Sequence, residues 1–332
     1  MLFAIQSAAM NGTETVLNAL DAIVARAEDE VHKAEITQAD QLENSRWYAS
    51  SRVERRKLLE EIATTSIYPA PRTQGPHLRR VEVSDETSAV RARQIAYTPL
   101  LVLAENEISD GALVEAALRV FGAQPTIELC FGAPSNIDPP AFQIESRGGH
   151  GPLPKLIETR LTEAAARRRP ARLVVITDSD RTWPGDKSDH TDKLRTLCAN
   201  HTIPFISLQK RTAENYIPDA VWIDWAADRS RTNMKPAVEA LLRLSPEQRD
   251  HIDMGSPAAS LASTEQDIVT LFQGVSPADR TLFQGVNLKG KKDAMMILVL
   301  KNQAANLTPA ALKARDHQGD LLTLVRHIED EL

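Results

Sequence analysis

Across residues 13–34, Leu17, Leu20, Val24, Ala27 and Val31 recur at helical spacing, with Glu28, Asp29, Glu30 and Lys33 opposite. Thr13 stands where an N-cap belongs, and the pattern predicts a helix. A second helical stretch covers residues 38–65 and ends in the charge-dense SRVERRKLLEEIA of residues 51–63. Pro69, Pro71 and Pro76 then break the pattern and mark residues 68–77 as a loop or linker. Two such helices suit either a dimerisation arm or packing against the next domain.

From residue 97 the texture changes. YTPLLVLA (97–104), RLVVIT (172–177) and IPFISL (203–208) have the length and branching of buried strands, and residues 126–131 and 142–145 are further strand candidates. Helical patterns over 110–121, 152–168 and 187–200 separate them. Strands alternating with helices predict an α/β fold, a mostly parallel sheet with helices on both faces. Beyond residue 225 the strand signal fades; 235–243, 266–272 and 321–329 read as helices, and Thr308 before Pro309 is a helix start. The chain thus divides into a helical N-terminal arm (1–95), an α/β core (96–225) and a mainly helical C-terminal extension (226–332). TLFQGV occurs at 270–275 and again at 281–286, an offset near three helical turns that suits one face presented twice.

At 332 residues there is room for two domains, or for one with sizeable attachments. The 42% hydrophobic and 25% charged composition is ordinary for a soluble protein with a real core. Lys and Arg total 39 against 45 Asp and Glu, a net charge of −6, which excludes a broadly basic nucleic-acid coat but not a local basic groove. Arg167, Arg168, Arg169 and Arg172 form one basic cluster, and Arg52, Arg55, Arg56 and Lys57 another; solvated helix faces account for such clusters as well as phosphate contacts do. Two cysteines, Cys130 and Cys198, give neither a disulfide framework nor a four-thiolate zinc site, and both read as buried small hydrophobes. No apolar run approaches about 18 residues, and the first ten lack a positive n-region. The expectation is a cytoplasmic protein without a membrane partner.

In an open parallel sheet, function gathers beyond the carboxyl ends of the strands. Three predicted strands deliver acids there: 97–104 runs into Glu105, with Glu107 and Asp110 next; 172–177 runs into Asp178 and Asp180; 203–208 leads to Glu214 in KRTAENYIPD. Clustered carboxylates repel, and keeping several ionised requires a cation. Oxygen donors without histidine or thiolate favour Mg²⁺ or Mn²⁺, whose usual employment is phosphoryl chemistry. Between the first two acidic sites, Gly148, Gly149 and Gly151 in ESRGGHGPLPKL (145–156) follow a strand and precede a helix, where backbone amides can approach phosphate. Each feature also has a purely structural use: Asp110 caps the helix it begins, Asp-x-Asp suits a turn, the glycines make one, and His150 is a polar loop residue.

The ordered set Glu105, Gly148–Gly149, Asp178-x-Asp180 and Glu214-Asn215-Tyr216 resembles the Toprim domain, and more narrowly the Toprim nucleases of the OLD (overcoming lysogenization defect) family and related antiphage effectors, over residues 97–225. The resemblance implies a metal-dependent nuclease cutting DNA. In it Glu105, Asp178 and Asp180 hold divalent ions, Asp110 and Glu214 are further ligands, and a lysine assists. Lys210, Lys235, Lys291 and Lys292 are candidates, and Lys291–Lys292 beside Gly290 is preferred because the glycine lets backbone approach a phosphate. Three departures stand out, the first being a spacing to Asp110 one residue longer than the common form, which makes Glu107 a partial substitute for Glu105. Asn106 follows the first Glu where the family has Gly, and no GxxxxGK[ST] occurs, so any ATPase or sensor function would belong to a separate partner protein. Homodimerisation also fits the resemblance.

Rival readings use the same residues. DSDRT (178–182) matches the DxDx[TV] box of haloacid-dehalogenase-type phosphatases, in which the first Asp is nucleophile and the second general acid; but two strands precede it, and no strand with an acidic pair follows suitably. A DxD glycosyltransferase lacks any legible base or sugar pocket. A catalytically silent Toprim-like scaffold in a defence or repair complex is the alternative from another class.

Overall fold

The computed structural model describes residues 1–67, 79–132, 138–146, 151–290, 296 and 307–332. It is an α/β protein built on two parallel sheets. The first joins β1 (Leu2–Ile5), β2 (Lys33–Ile36) and β3 (Arg80–Val83) in the order β2-β1-β3. The second joins β4 (Leu100–Leu103), β5 (Phe142–Glu145), β6 (Leu173–Thr177) and β7 (Phe205–Ser207) in the order β5-β4-β6-β7.

The second sheet follows the sequence reading closely. All five β6 residues are buried, as befits an LVVIT run covered on both faces. One face packs on Leu153, Leu156 and Ile157 of helix Leu153–Ala166 and on Leu194 and Cys198 of helix Asp189–Asn200. The other carries the main core, which includes helices Ser109–Phe121, Asp219–Ala227 and Lys235–Arg243. Helix Asp320–Glu331 packs directly on Ser109–Phe121, so the chain's last helix is part of this core. Both copies of TLFQGV serve it too. Phe272 and Phe283 are each buried there while Gln273 and Gln284 are exposed, so the echo is a repeated packing unit.

The chain before residue 96 holds more than the expected helices. Its apolar start is β1, the middle strand of a sheet whose own core includes Phe3, Ile5, Leu20, Ile23 and Trp47. The pattern hid this because β2 (KAEI) and β3 (RVEV) are short, half-exposed edge strands: Lys33 of β2 read as the surface of the 13–34 helix, and β3 gave no apolar run to mark it. Helix Glu14–Glu28 ends before β2, and the second helical stretch splits into Arg46–Ser50 and Val53–Ile67. A further correction concerns residues 126–131, expected as a strand: Gln124–Phe131 is a helix, with Pro125 in its first turn where proline's fixed φ favours helix.

The two parts are joined by Val31, which is buried in the main core, and by polar contacts. Arg26 donates to the carbonyls of Ala96, at 3.2 Å, and of Pro139, and Arg79 pairs with Glu331 at 2.6 Å. A measurement follows from the β1 assignment. Phe3→Ala empties a fully buried position in the first sheet's core and is expected to lower stability by about 3–5 kcal/mol. A surface arm would lose almost nothing in the same denaturant titration.

Candidate active site

Sheet order creates the site. From β4 the chain steps to β5 on one side, then returns to β6 on the other, so the strand order reverses between β4 and β6. Such a switch point opens a crevice beyond the strand ends. Leu103 pairs with Val175, so two residues further along Glu105 faces Thr177, whose hydroxyl donates to Glu105 Oε1. Glu105 is 5% exposed.

The loop after β4 is closed by its own polar groups. Asp110, in the first turn of Ser109–Phe121, accepts the backbone N–H of Glu105 at 3.1 Å, that of Asn106 at 3.0 Å and the hydroxyl of Ser109 at 3.1 Å. Burial pushes its carboxyl up to about 6, against those hydrogen bonds and with help from Glu214. Asn106, the departure from the family pattern, has a job: its Oδ1 accepts from the backbone N–H of Ile108 at 2.9 Å and of Ser109 at 3.4 Å. Glu107 is exposed, and its backbone N–H donates to Ser146 Oγ at 3.1 Å.

Asp178 follows β6 directly. As a residue it is half-buried, yet its Oδ1 is shut off from solvent without a hydrogen-bond partner. Burial, then the carboxylates of Asp110, Glu214, Glu105 and Asp180, hold it well above the usual carboxylate range. Asp180 is exposed, with φ +52°, a left-handed conformation that Asp tolerates, and its N–H donates to the Arg211 carbonyl at 3.0 Å.

After β7, KRTAENY folds into a single 3₁₀ turn, Ala213–Tyr216, capped by Thr212. Within it Glu214 faces the acidic group; its Oε2 accepts from Thr212 Oγ1 at 2.6 Å, and its Oε1 is buried without a partner. The other motif residues build the platform. Asn215 Nδ2 donates to the carbonyls of Arg249 at 2.7 Å and Ile252 at 3.1 Å, and Tyr216 donates its hydroxyl to Asp320. Lys210 is fully buried against Asp250 at 2.5 Å, and Arg315 binds the same oxygen at 2.6 Å. That candidate lysine is therefore committed to structure. Lys235 is exposed at the start of its own helix.

Among the described residues, the lysine that meets the carboxylates is one the sequence reading passed over. Lys289 Nζ lies 3.2 Å from Glu214 Oε2. Burial opposes its charge, but Glu214 and Asp178 together hold its pKa above the ordinary value. Its backbone is fixed too: the N–H groups of Leu288 and Lys289 both donate to the Met254 carbonyl, at 2.8 and 3.3 Å, and Gly290 turns away at φ +75°. The signal was present in LKGKKD, one residue before the glycine rather than after it.

Lys291, Lys292, Gly148 and Gly149 lie outside the described residues. Gly151 is described and has open space where a Cβ would stand, so no close backbone approach requires a glycine there. Glu145, which opens that loop, is paired with Arg160. Burial raises both thiols, Cys130 to about 12 and Cys198 to about 11, consistent with packing residues. Among the described residues no three carboxylate, imidazole or thiolate side chains converge closely enough to form a ready metal shell. In kind, however, the donors fit a hard cation: all are oxygens, and two, on Asp178 and Glu214, are buried with their lone pairs unused. No helix among the described residues is long and apolar enough to cross a membrane. Compared with protein-family models, curated proteins and solved structures, the chain matches none.

The platform beneath the site makes a pH prediction. Burial, then Arg315, pushes Lys210 down to about 8 from its ordinary 10.5, although Asp250 opposes the shift. Between those values the unfolded chain binds more protons than the folded one, so this group makes stability rise with pH from about 8 to 10.5. Urea titrations across that range are expected to show a flatter pH dependence in Lys210→Met than in the wild type.

Proposed function

We propose that the chain is a divalent-metal-dependent phosphodiester hydrolase acting on DNA, with its reacting centre at the switch point between β4 and β6. The observation that carries this reading is the pair of buried, unpartnered carboxylate oxygens on Asp178 and Glu214 beside the Lys289 ammonium. Carboxylates so placed gain most from a cation.

Glu105, Asp178, Asp180 and Glu214 would hold Mg²⁺ or Mn²⁺. When bound, the ion supplies Lewis-acid polarisation of the phosphate and lowers the pKa of water. The chain's own residues do the rest. Thr177 orients Glu105, and Asp110, besides being a further ligand in the resemblance, fixes the loop that carries Glu105 through the hydrogen bonds its oxygens accept. Lys289 presents a charged donor to a non-bridging phosphate oxygen, where negative charge grows in the transition state. The resemblance of the motif series extends the reading to an antiphage or anti-plasmid effector working with a separate ATPase or sensor.

One observation favours a second reading. The absence of a three-donor shell among the described residues is what a silent Toprim-like scaffold would have.

Cleavage of plasmid and linear DNA with Mg²⁺, Mn²⁺ or EDTA tests the choice. The hydrolase reading expects metal-dependent cutting, reduced by roughly 10²-fold or more in Glu105→Ala, Asp178→Ala and Lys289→Ala. Equal cutting by Lys289→Ala would remove that residue from the mechanism. No cutting by the folded chain, with or without metal, leaves an effector that needs its partner or a scaffold, and metal binding that Asp178→Ala weakens separates the first from the second.

A further inference from the structure

Behind the site, residues 249–254 brace three of its segments. Asn215 Nδ2 donates to the Arg249 carbonyl at 2.7 Å and to the Ile252 carbonyl at 3.1 Å. The Arg211 N–H donates to the Asp250 carbonyl at 2.8 Å, and the N–H groups of Leu288 and Lys289 to that of Met254. The turn that carries Glu214 and the segment that carries Lys289 are thus held by one short stretch. A side chain joins the Asp-x-Asp loop to it as well. His251, the last residue of helix Pro246–His251 and 5% exposed, places its Nδ1 3.2 Å from the Arg181 carbonyl. A carbonyl can only accept, so the hydrogen bond assigns the proton to Nδ1. Burial favours the uncharged ring.

The place of this contact makes it informative. Asp180 is left-handed at φ +52°, a conformation that a residue other than glycine keeps only where its surroundings fix it. Its N–H donates to the Arg211 carbonyl at 3.0 Å, and the Arg211 N–H reaches Asp250. The carbonyl of the next residue, Arg181, is the one that His251 holds. Asp250 and His251 therefore secure the strained residue from both sides, one through the backbone of Arg211 and the other through the imidazole. Ser179 Oγ, between the two aspartates, donates to the Lys210 carbonyl at 2.7 Å and ties the loop to the same neighbour.

We propose that His251 is a positioning residue for the Asp-x-Asp carboxylates: its Nδ1–H fixes the Arg181 carbonyl and, with it, the left-handed turn at Asp180, one of the residues that would hold the divalent ion. This role rests on the metal-dependent reading of the site. Partners one step removed from the ligands set ligand orientation, and their loss is felt in metal affinity.

Mn²⁺ affinity of the full chain, read by electron paramagnetic resonance on His251→Asn and His251→Gln, tests it. Asn carries its side-chain N–H at the δ position, where Nδ1 stands, whereas Gln moves it one atom outward to the place of Nε2. His251→Asn is expected to bind Mn²⁺ within about threefold of the wild type, and His251→Gln to bind it roughly tenfold or more weakly. Both side chains leave part of the ring's space empty, so rescue by Asn alone is a pattern that lost packing would not produce. Wild-type affinity in His251→Gln would overturn the role, and so would an Asn variant as weak as the Gln variant. Absence of Mn²⁺ binding by the wild type would overturn the hydrolase reading and this role together, which tells the two failures apart.

Discussion

Like charges held together out of water repel, and the carboxyl edge of the second sheet is arranged around that constraint. Register alone sets Glu105 across from Thr177 and puts Asp178 one residue further on. Three of the buried acids find relief inside the fold. Asp110 takes hydrogen bonds from its own loop, Glu105 takes one from Thr177, and Glu214 takes one from Thr212 and an ion pair from Lys289. Asp178, with one oxygen buried and unpartnered, is the residue for which the fold supplies least. A site that crowds carboxyl groups and leaves oxygens of Asp178 and Glu214 buried without partners is suited to a cation more than to an anion.

What holds Glu214 in reach is a buried polar platform. Tyr216 joins the turn to Asp320, Asn215 joins it to the 249–252 segment, and Lys210 and Arg315 converge on Asp250. Asp320 opens the last helix, which also packs on the helix that carries Asp110. The two acids therefore sit on elements clamped by the same C-terminal segment, and this makes residues 307–332 integral to the site's geometry. Breaking one partner of such a network is costly because the other is left buried and charged.

Much of this was legible in the sequence. Buried parallel strands are continuous apolar runs, so β4, β6 and β7 stand out, and the acids after them are read off by position. The N-terminal sheet was less legible: β2 and β3 are short, charged edge strands without an apolar run, Lys33 of β2 falls on the surface of the predicted 13–34 helix, and β1 is only four residues long. Roles within a motif were harder still. Lys210 and Lys289 both lie near acidic residues in space, and sequence carries no sign that one is sealed against Asp250 while the other reaches Glu214. Asn106 illustrates the same limit, since a departure from a family pattern turns out to be an Asn cap of the following turn. The arginines of residues 167–172 read as a solvated helix end, and only the burial of Arg172 separates them.

The account stands on the claim that the carboxylates at the β4–β6 switch point take a divalent cation. Mn²⁺ binding by electron paramagnetic resonance, on the wild type and on Asp178→Asn, tests it without requiring turnover or a partner. The account predicts saturable binding of Mn²⁺ by the wild type, competed by Mg²⁺ and lost or weakened at least tenfold when Asp178 loses its charge. Mn²⁺ that binds equally well to both proteins, or to neither, would contradict it.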